Sequence, residues 1–432
     1  MNILIITPFY KHDRNIASVR WTNIGIRLAK KHNVIVVTQP HDDMDMSTTI
    51  EKDEDNILVA RINQKTGYEK TAIKHFDGAT GDDWQTSAGT GEAVQVNDDF
   101  KRKLKNRILY ASMRCKAKQY ADDIVKKVIP KDMKIDVVIS SACPFIEMLF
   151  GYEVKKRLGC KWISDFRDLP FIEDNCDDTH IQKMMMQNSL IDADAIITIA
   201  NKGKEKLADG IVDDSNKIHV IRNGFSLTDA RETTTIQDDK LHIVHTGSLY
   251  GGKRKADLLF KAVLAVRERE PDFKYVLECA GGNNETIIES AKLYQEENNV
   301  INNGFVSREQ ALDMQSKADL LLAVVINRPG SLVAKLYEYM LNKKPVVCIT
   351  CGNDIENSEE TDFVRELKLG IAIEEKEGLT AVGLLKNYLL NQWKLKMEGK
   401  ALEYNPEYNR IKEFDHDNIV KKIENLCYEI LQ

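Results

Sequence analysis

The 432-residue sequence has no excess of positive charge and no long apolar run, and each absence argues against a class of protein. It contains 61 Lys and Arg residues against 67 Asp and Glu residues, a net charge of -6. A nucleic-acid-binding protein usually has a basic excess, so we expect no nucleic-acid partner. No stretch approaches eighteen consecutive apolar residues, the length expected of a membrane-spanning helix. The opening segment MNILIITPFY lacks the features of a signal peptide, so we expect a cytoplasmic protein.

The sequence also lacks the common signatures of metal and hydrolase sites. Its eight cysteines are scattered, mostly in apolar contexts typical of core residues in a reducing compartment. Cys348 and Cys351 form a CxxC without a second pair, which leaves core packing and a metal or redox site as alternatives. No His, Asp and Glu residues have metal-ligand spacing, and no GxSxG nucleophile elbow occurs. We therefore expect no metal ion and no cofactor.

Short β-branched runs alternate with amphipathic helical segments in two successive series. The first series of predicted strands covers 3–7, 34–38, 57–62, 137–140, 161–165, 195–200 and 218–223. The second covers 241–247, 275–281, 300–306, 320–325, 345–350 and 370–375. Strands that are apolar on both faces and separated by helices predict an α/β fold with two parallel sheets. A polar segment, 224–240, is typical of an interdomain linker, and 416–432 is predicted to form a terminal amphipathic helix.

One region departs from this alternation. Residues 76–99 are rich in Gly, Asp and Thr and are predicted to form a loop. The basic segment that follows is predicted to be a long helix over 100–128, with five cations between positions 101 and 107. Residues 100–113 could contact an anionic membrane surface peripherally. The alternative is a solvated helix whose apolar side packs on the sheet.

The loop after the first strand of the second series has the composition of a phosphate-binding turn. In HTGSLYGGKRKADLLFKAVL (245–264), Gly247 lets the backbone approach a ligand closely, and Lys253 and Arg254 are predicted to open a helix. A glycine-rich turn, two cations and a helix N-terminus together suit a phosphate group. The loop is neither a Walker A motif nor a GxGxxG motif.

A second candidate anion site lies in RPGSLVAKLYEYMLNKKPVVCIT (328–350). A short helix here places Lys335 and Glu338 on one face, together with Ser331 and Asn342. A cation near a helix N-terminus is disfavoured by the macrodipole, unless an anion binds there. Backbone N–H groups of Ser331, Leu332 and Val333 could contribute, and Glu338 could accept hydrogen bonds from a ribose diol. A solvated polar face is the alternative.

In the first series, charged residues follow a strand at the end that would face the same cleft. SDFRDLPF (164–171) carries Asp165, Arg167 and Asp168, which indicate either a functional cluster or an ion pair that fixes a loop. The loop 7–21 adds Arg14 and Arg20. Ligands of parallel α/β sheets bind at the carboxyl ends of strands, so these residues are candidates for an acceptor side.

These segments resemble the family 4 retaining glycosyltransferases, which have the two-Rossmann GT-B fold. The resemblance covers nearly the whole chain apart from the 76–99 loop. It is carried, in order, by SSACPFIEMLFGYEVKKRLGCKWISDFRD (140–168), LIDADAIITIANKGKEKL (190–207), IHVIRNGFSLTD (218–229), HTGSLYGGKR (245–254), GFVSREQALDMQSKADLLL (304–322) and AKLYEYMLNKKPVV (334–347). It implies an acceptor-binding domain over 1–228, a nucleotide-sugar-binding domain over 229–413, and a C-terminal helix over 414–432 that returns to the first domain.

The resemblance also implies roles for individual residues. Glu338 corresponds to the second glutamate of the E-x7-E motif, and the first falls at Gly330, where this chain departs from the family. Ser248 stands where an arginine is common, so the cationic role passes to Lys253 and Arg254. Asp165 falls near a position that many relatives fill with a histidine, which suggests a catalytic role. The implied donor site comprises Gly247, Ser248, Lys253, Arg254, Ser331, Leu332, Val333, Lys335 and Glu338.

The implied activity is transfer of a sugar, with retention, from a nucleotide-diphosphate sugar to a glycan or lipid-linked acceptor in surface polysaccharide biosynthesis. Lys253 and Arg254 would stabilise the departing diphosphate without a metal ion. The acceptor would enter near Arg14, Arg20, Arg167 and Asp168. Two alternatives stay open: a non-hydrolysing nucleotide-sugar epimerase, and a catalytically silent GT-B partner subunit.

Overall fold

The computed structural model describes residues 1–11, 18–40, 48–63, 96–142, 145–169, 177–249, 254–328, 330–352 and 358–432. The chain is α/β, as predicted, with two separate sheets. We call residues 1–223 the N-terminal half and residues 241–414 the C-terminal half, with the linker 224–240 between them. Each sheet is covered on both faces by helices, and a buried apolar cluster lies on each face.

The N-terminal half contains an eight-stranded sheet in the order β3-β4-β2-β1-β5-β6-β7-β8. Its strands are β1 (Asn2–Ile6), β2 (Asn33–Thr38), β3 (Thr49–Lys52), β4 (Leu58–Arg61), β5 (Val137–Ala142), β6 (Lys161–Phe166), β7 (Ala195–Thr198) and β8 (Ile218–Val220). All neighbours are parallel except the edge pair β3–β4. Strand β3 is not among the predicted strands, because an edge strand with exposed polar side chains has no apolar run to mark it.

The C-terminal half contains a six-stranded parallel sheet in the order β11-β10-β9-β12-β13-β14. Its strands are β9 (Leu241–Thr246), β10 (Tyr275–Ala280), β11 (Val300–Asn302), β12 (Leu320–Ile326), β13 (Val346–Cys351) and β14 (Gly370–Glu374). The chain runs outward from β9 to β11 and then returns to place β12 on the other side of β9. The loops after β9 and β12 therefore flank the switch point of the sheet, where open α/β sheets bind ligands.

The helices connect the strands as the alternating pattern predicts. Those of the N-terminal half are α1 (Ser18–Ala29), α2 (Val96–Asp123), α3 (Ile146–Leu158), α4 (Asp177–Leu190) and α5 (Asn201–Ala208). Those that follow are α6 (Asp257–Arg267), α7 (Glu285–Leu293), α8 (Arg308–Lys317), α9 (Lys335–Leu341), α10 (Glu359–Glu366), α11 (Leu379–Met397), α12 (Tyr408–Ile411) and α13 (His416–Leu431).

The last helix returns to the N-terminal half, as expected. The chain crosses between the halves at two adjacent points, where the N–H of His416 donates to the carbonyl of Phe225 at 2.9 Å. Apolar residues of α13, among them Ile419 and Ile423, join the buried cluster on one face of the first sheet. Glu424 on the same helix accepts hydrogen bonds from Lys31 at 2.9 Å and from His32 at 2.8 Å.

The basic segment differs from its prediction at its boundaries. Helix α2 begins at Val96, so the predicted loop over 76–99 is four residues too long, and its residues 76–95 lie outside the described part of the chain. The α-helix ends at Asp123 and continues as a π-helical turn to Val128. Tyr110 and Met113 are buried in the core of the N-terminal half, whereas Ile108 is exposed. The side chains of residues 96–106 lie outside the described part.

Candidate active site

The loop after β9 and the first residue of α9 meet at the switch point of the second sheet. Gly247 has φ +115°, a conformation that favours glycine, and its N–H donates to the carbonyl of Ala280 at 2.8 Å. A Cβ atom at Gly247 would lie 3.2 Å from the Nζ of Lys335. The glycine thus leaves room for a cation directly beside the loop backbone. Two segments that are 88 positions apart form one surface.

Lys335 provides a buried positive charge at this surface. The residue is half-buried as a whole, but its Nζ is inaccessible to solvent and has no hydrogen-bond partner among the described residues. Burial, and then repulsion by Arg254, lowers the pKa of Lys335 to about 7. A buried ammonium without a partner is costly, and an anion bound at Gly247 would supply the missing interaction. The polar strip of α9 is therefore not a solvated face: Asn342 on the same strip is also fully buried.

Arg254 lies on the other side of the loop. Its side chain is buried, and its Nη1 donates to the carbonyl of Ser248 at 3.2 Å, which fixes the loop backbone. The prediction that Arg254 opens a helix is wrong, because helix α6 begins only at Asp257 and Arg254 precedes it. Lys253 lies outside the described residues. The guanidinium and the Lys335 ammonium repel one another, so an anion bound near them would stabilise the charged form of Lys335.

The segment before α9 differs from its predicted role. The N–H of Ser331 donates to the carbonyl of Arg328 at 3.0 Å, which closes a turn and occupies that donor. The N–H of Val333 lies beside the buried carboxyl group of Glu360, and burial raises the pKa of that group to about 7. Leu332 packs into the core. The predicted set of free N–H donors is thus reduced, and the seven-residue helix α9 contributes chiefly through its side chains.

Glu338 lies one turn after Lys335 and is largely buried. Its Oε1 accepts a hydrogen bond from the Nε of Arg308 at 3.2 Å. Burial raises the pKa of Glu338, and the positive charge of Arg308 opposes that shift. The carboxylate lies close enough to Lys335 for their charges to interact.

A network of buried polar groups fixes α9 against the end of β9. The hydroxyl of Tyr339 accepts from the N–H of Thr246 at 3.3 Å and donates to the carbonyl of Leu322 at 3.0 Å. Asn342 donates to Gln315 at 2.7 Å, and Gln315 donates to the hydroxyl of Thr246 at 2.8 Å. These bonds set the rotation of α9, and hence the position of Lys335 and Glu338.

His245, the penultimate residue of β9, is a site residue that the sequence analysis missed. It is fully buried, and its Nδ1 is 2.9 Å from the carbonyl of Leu322, so Nδ1 carries the proton. Burial and the neighbouring charge of Lys335 hold its pKa well below the usual range. Its other nitrogen, Nε2, has no hydrogen-bond partner in the part of the chain that the structure describes. A histidine inside a buried strand gives no sequence signal other than its place just before Thr246 and Gly247.

In the N-terminal half, the surroundings of Asp165 argue against its predicted catalytic role. The side chain is 0% exposed, and its two oxygens accept hydrogen bonds from Arg20 Nη2 at 3.0 Å and Nε at 3.3 Å. The indole N–H of Trp21 donates to the same carboxylate at 2.9 Å. A carboxylate that is enclosed and already bonded by a guanidinium and an indole cannot reach a substrate. Arg20 is likewise buried and is bonded to Asp165 and to the carbonyl of Ile221.

The residues after Asp165 do approach the second sheet. Arg167 lies with its guanidinium carbon 6.0 Å from the ring centroid of Phe9, and Asp168 is half-buried beside it. Leu169 then contacts the loop after β12: a Cβ at Gly330 would lie 2.8 Å from its Cδ1. Arg14, the remaining predicted acceptor residue, lies outside the described residues. Arg167 and Asp168 therefore directly precede a residue that contacts the C-terminal half.

The same contact explains the glycine at position 330. Its φ of +86° favours glycine, and the space that a side chain would occupy is filled by Leu169 and by the Cα of Gly203. A glutamate at this position would collide with the N-terminal half. The departure from the E-x7-E pattern is thus coupled to a close contact between the halves.

Two absences can be stated for the described part of the chain. It contains no group of three or more His, Cys, Asp or Glu side chains placed to hold a metal ion. Within those same ranges, no helix combines the length and apolar character needed to cross a bilayer.

Two α/β halves, each built on a largely or wholly parallel sheet, have the architecture of the GT-B fold, and known structures bear this out. A lipopolysaccharide outer core galactosyltransferase, WaaB, in its apo form is 14% identical, with a TM-score of 0.55 and coverage of 99% of each chain. A sucrose-phosphate synthase from Thermosynechococcus elongatus is 11% identical, with a TM-score of 0.60 over 100% of this chain and 99% of that one. A structure described as trehalose-6-phosphate from E. coli bound with UDP-2-fluoro glucose is 12% identical, with a TM-score of 0.63 and 99% coverage of both.

At the level of sequence, residues 240–375 match the family model described as Glycosyl transferases group 1. This range includes the loop after β9, Lys335 and Glu338. No curated protein matches the chain.

Proposed function

We propose that the protein is a retaining glycosyltransferase that moves a sugar from a nucleotide-diphosphate sugar to a glycan or lipid-linked acceptor. The observation that carries the proposal is the buried, unpartnered ammonium of Lys335 beside the backbone of Gly247. Arg254 adds a second positive charge to the same place. The match of residues 240–375 to the Glycosyl transferases group 1 model supports this reading.

The geometry accounts for donor binding as follows. The diphosphate lies between Gly247, Lys335 and Arg254, with Ser248 and Lys253 on the same loop, and the nucleoside ribose lies against Glu338. A diphosphate raises the pKa of Lys335 and restores a full ammonium, since an opposite charge offsets the penalty of burial. The UDP-sugar analogue named for one structural neighbour supports a nucleotide sugar as the donor class.

Catalysis then depends on stabilising the leaving group. The bond between the anomeric carbon and the diphosphate oxygen breaks, and the acceptor oxygen takes its place on that carbon. Negative charge grows on the diphosphate as it leaves, and the fixed cations Lys335 and Arg254 lie where that charge develops. This requires no metal ion. The departing oxygen is available to accept the acceptor's proton, since Asp165 is enclosed.

The acceptor side consists, in this proposal, of Arg167 and Asp168 at the edge of the cleft. Leu169 and Gly330 bring the two halves into contact, and closure of such a site would exclude water around the donor sugar. A surface polysaccharide or lipid-linked oligosaccharide is the proposed acceptor class. The basic start of α2, residues 100–113, would then place the enzyme at the cytoplasmic face of a membrane.

A thermal-shift screen with UDP, GDP, ADP and TDP, and then with their common sugar conjugates, tests the proposal. A nucleotide at about 100 times its Kd stabilises the fold by about 2.7 kcal/mol. The selected conjugate should release its nucleoside diphosphate when an acceptor extract is added, and Glu338→Ala should lose both the shift and the release. No shift with any nucleotide would overturn the donor site. A thermal shift without sugar transfer or epimerisation would favour the alternative of a catalytically silent GT-B partner subunit. Epimerisation of the nucleotide sugar without transfer would favour the epimerase.

A further inference from the structure

Arg308 connects the donor carboxylate to the linker between the halves. Its Nε donates to Glu338 at 3.2 Å, and its Nη2 donates to the carboxylate of Asp229 at 2.9 Å. One planar guanidinium therefore joins two carboxylates that are 109 positions apart. A lysine cannot make the same two contacts from one rigid group.

The position of Arg308 in its helix is electrostatically unfavourable unless other interactions offset the cost. Arg308 is the first residue of α8, where the macrodipole disfavours a cation. The start of α8 is nonetheless fixed by a capping box, in which Ser307 and Gln310 exchange hydrogen bonds at 3.2 and 2.9 Å. The rigid helix start holds the guanidinium at one position, and the two carboxylates offset its cost there.

The linker continues the connection into the N-terminal half. Ser226, three residues before Asp229, accepts a hydrogen bond from Arg27 at 2.7 Å and donates to Asn23 at 2.9 Å. Both partners lie on α1. A short chain of contacts therefore runs from α1 through Ser226 and Asp229 to Arg308, and ends at Glu338.

We infer that Arg308 is a positioning residue that orients Glu338 toward the nucleoside of the donor, and that Asp229 ties this orientation to the linker. The inference rests on the proposed donor site. It adds that nucleoside affinity depends on a contact with the linker, outside the phosphate-binding loop. The bare diphosphate group, held by Gly247, Arg254 and Lys335, is independent of Arg308.

The alternative is an ordinary surface ion pair, because the Arg308 side chain is 39% exposed. Such pairs contribute little to stability. The pair between Arg410 and Glu366, at 2.9 Å, is exposed on both sides and lies in the same half. Arg410→Met is therefore a matched control that removes an arginine and an ion pair without touching the site.

The test is calorimetric titration of the wild type, Arg308→Met, Arg308→Lys, Asp229→Asn and Arg410→Met. The probes are the nucleoside diphosphate selected from the UDP, GDP, ADP and TDP panel, and inorganic pyrophosphate. We expect Arg308→Met to weaken binding of the nucleoside diphosphate about tenfold, since the substitution removes a charge-assisted hydrogen bond. Arg308→Lys and Asp229→Asn should each weaken binding of the nucleoside diphosphate about threefold. Pyrophosphate affinity should be unchanged in every variant, and Arg410→Met should match the wild type.

The pH dependence of nucleotide affinity distinguishes a positioning role of Arg308 from a merely structural one, which would leave that dependence unchanged. Glu338 faces Arg308 and Gln315 of α8, Asp229 of the linker and Lys335 of its own helix. Removing Arg308 takes away the strongest of the interactions that oppose the effect of burial on Glu338, so the pKa of Glu338 rises further. In Arg308→Met the loss of nucleotide affinity on acidification should therefore begin at a higher pH than in the wild type.

Two results would overturn the inference alone. One is an Arg308→Met variant that binds the nucleoside diphosphate as tightly as the wild type. The other is a variant that loses pyrophosphate and nucleotide affinity equally, which would make Arg308 part of the phosphate site. A wild type that binds none of the nucleotides would instead overturn the proposed function, and the inference with it. Arg308→Lys, which keeps the charge, covers the case in which Arg308→Met fails to fold.

Discussion

Arg222, which is partly buried, and Glu359, which is buried, form an ion pair 2.9 Å long between the N-terminal and C-terminal halves. The same carboxylate accepts hydrogen bonds from the N–H groups of Asn201 at 2.7 Å and Lys202 at 3.2 Å. Glu359 thus caps helix α5 from the opposite half, where the helix dipole favours a negative charge. The close approach of Leu169 to Gly330 lies beside this cap, since Gly203 of α5 also contacts Gly330.

We predict that Glu359→Gln weakens the association of the two halves. The neutral amide leaves the partly buried Arg222 without its counter-charge, which costs about 2 kcal/mol. Small-angle scattering should show a larger radius of gyration, and the melting temperature should fall. Glu366→Gln, which removes the exposed partner of Arg410, should change neither quantity. Equal radii for Glu359→Gln and the wild type would show that the pair does not hold the halves together.

Gly330→Ala should destabilise the protein for two separable reasons. The positive φ costs about 1 kcal/mol for any residue with a side chain, and the new Cβ collides with Leu169. Denaturant unfolding of Gly330→Ala, Leu169→Ala and the double variant isolates the collision as a coupling energy. The double variant should be more stable than the sum of the single losses predicts. Strict additivity would mean that the contact between the halves is not formed in solution.

Asp165→Asn should lose stability rather than catalysis alone. It removes the charge that pairs with Arg20 and leaves a buried guanidinium, at a cost of about 3 kcal/mol. Urea unfolding should show this loss, while Asp168→Asn should unfold like the wild type. Full stability in Asp165→Asn, together with lost transfer, would restore the catalytic role that the sequence suggested.

The organisation of the fold was predictable because both sheets consist of strands with apolar runs on both faces. The pairing of Lys335 with the loop at Gly247 was predictable in part, since both follow strands of one parallel sheet. The structural role of Asp165 was not predictable, because the sequence pattern of a charged residue at a strand end is the same whether the residue faces a cleft or pairs with an arginine from a helix. His245 and Arg308 were missed for a related reason: their partners, Leu322, Glu338 and Asp229, are remote in sequence.

Lys335→Met should stabilise the unliganded protein. The pKa of Lys335 is about 7 in the folded state against an ordinary value of 10.5, so the unfolded chain binds more protons between these pH values. The stability of the wild type therefore rises with pH from about 7 to about 10, and the burial penalty is complete below 7. The free energy of unfolding of the variant should exceed that of the wild type by on the order of 2 kcal/mol at pH 6, and by less at pH 10. Lys261→Met, at an exposed position, should show no such difference.

The most direct test of the donor site is the proton balance of nucleotide binding, measured at pH 8 by titration calorimetry in two buffers of different ionisation enthalpy. The nucleoside diphosphate is fully ionised at this pH, and Lys335 is mostly neutral in the unliganded protein. If the diphosphate binds beside Lys335, it raises the pKa of that amine, and binding takes up close to one proton. Lys335→Met should show no uptake and much weaker binding. Tight binding without proton uptake in the wild type, or unchanged binding in Lys335→Met, would contradict the account.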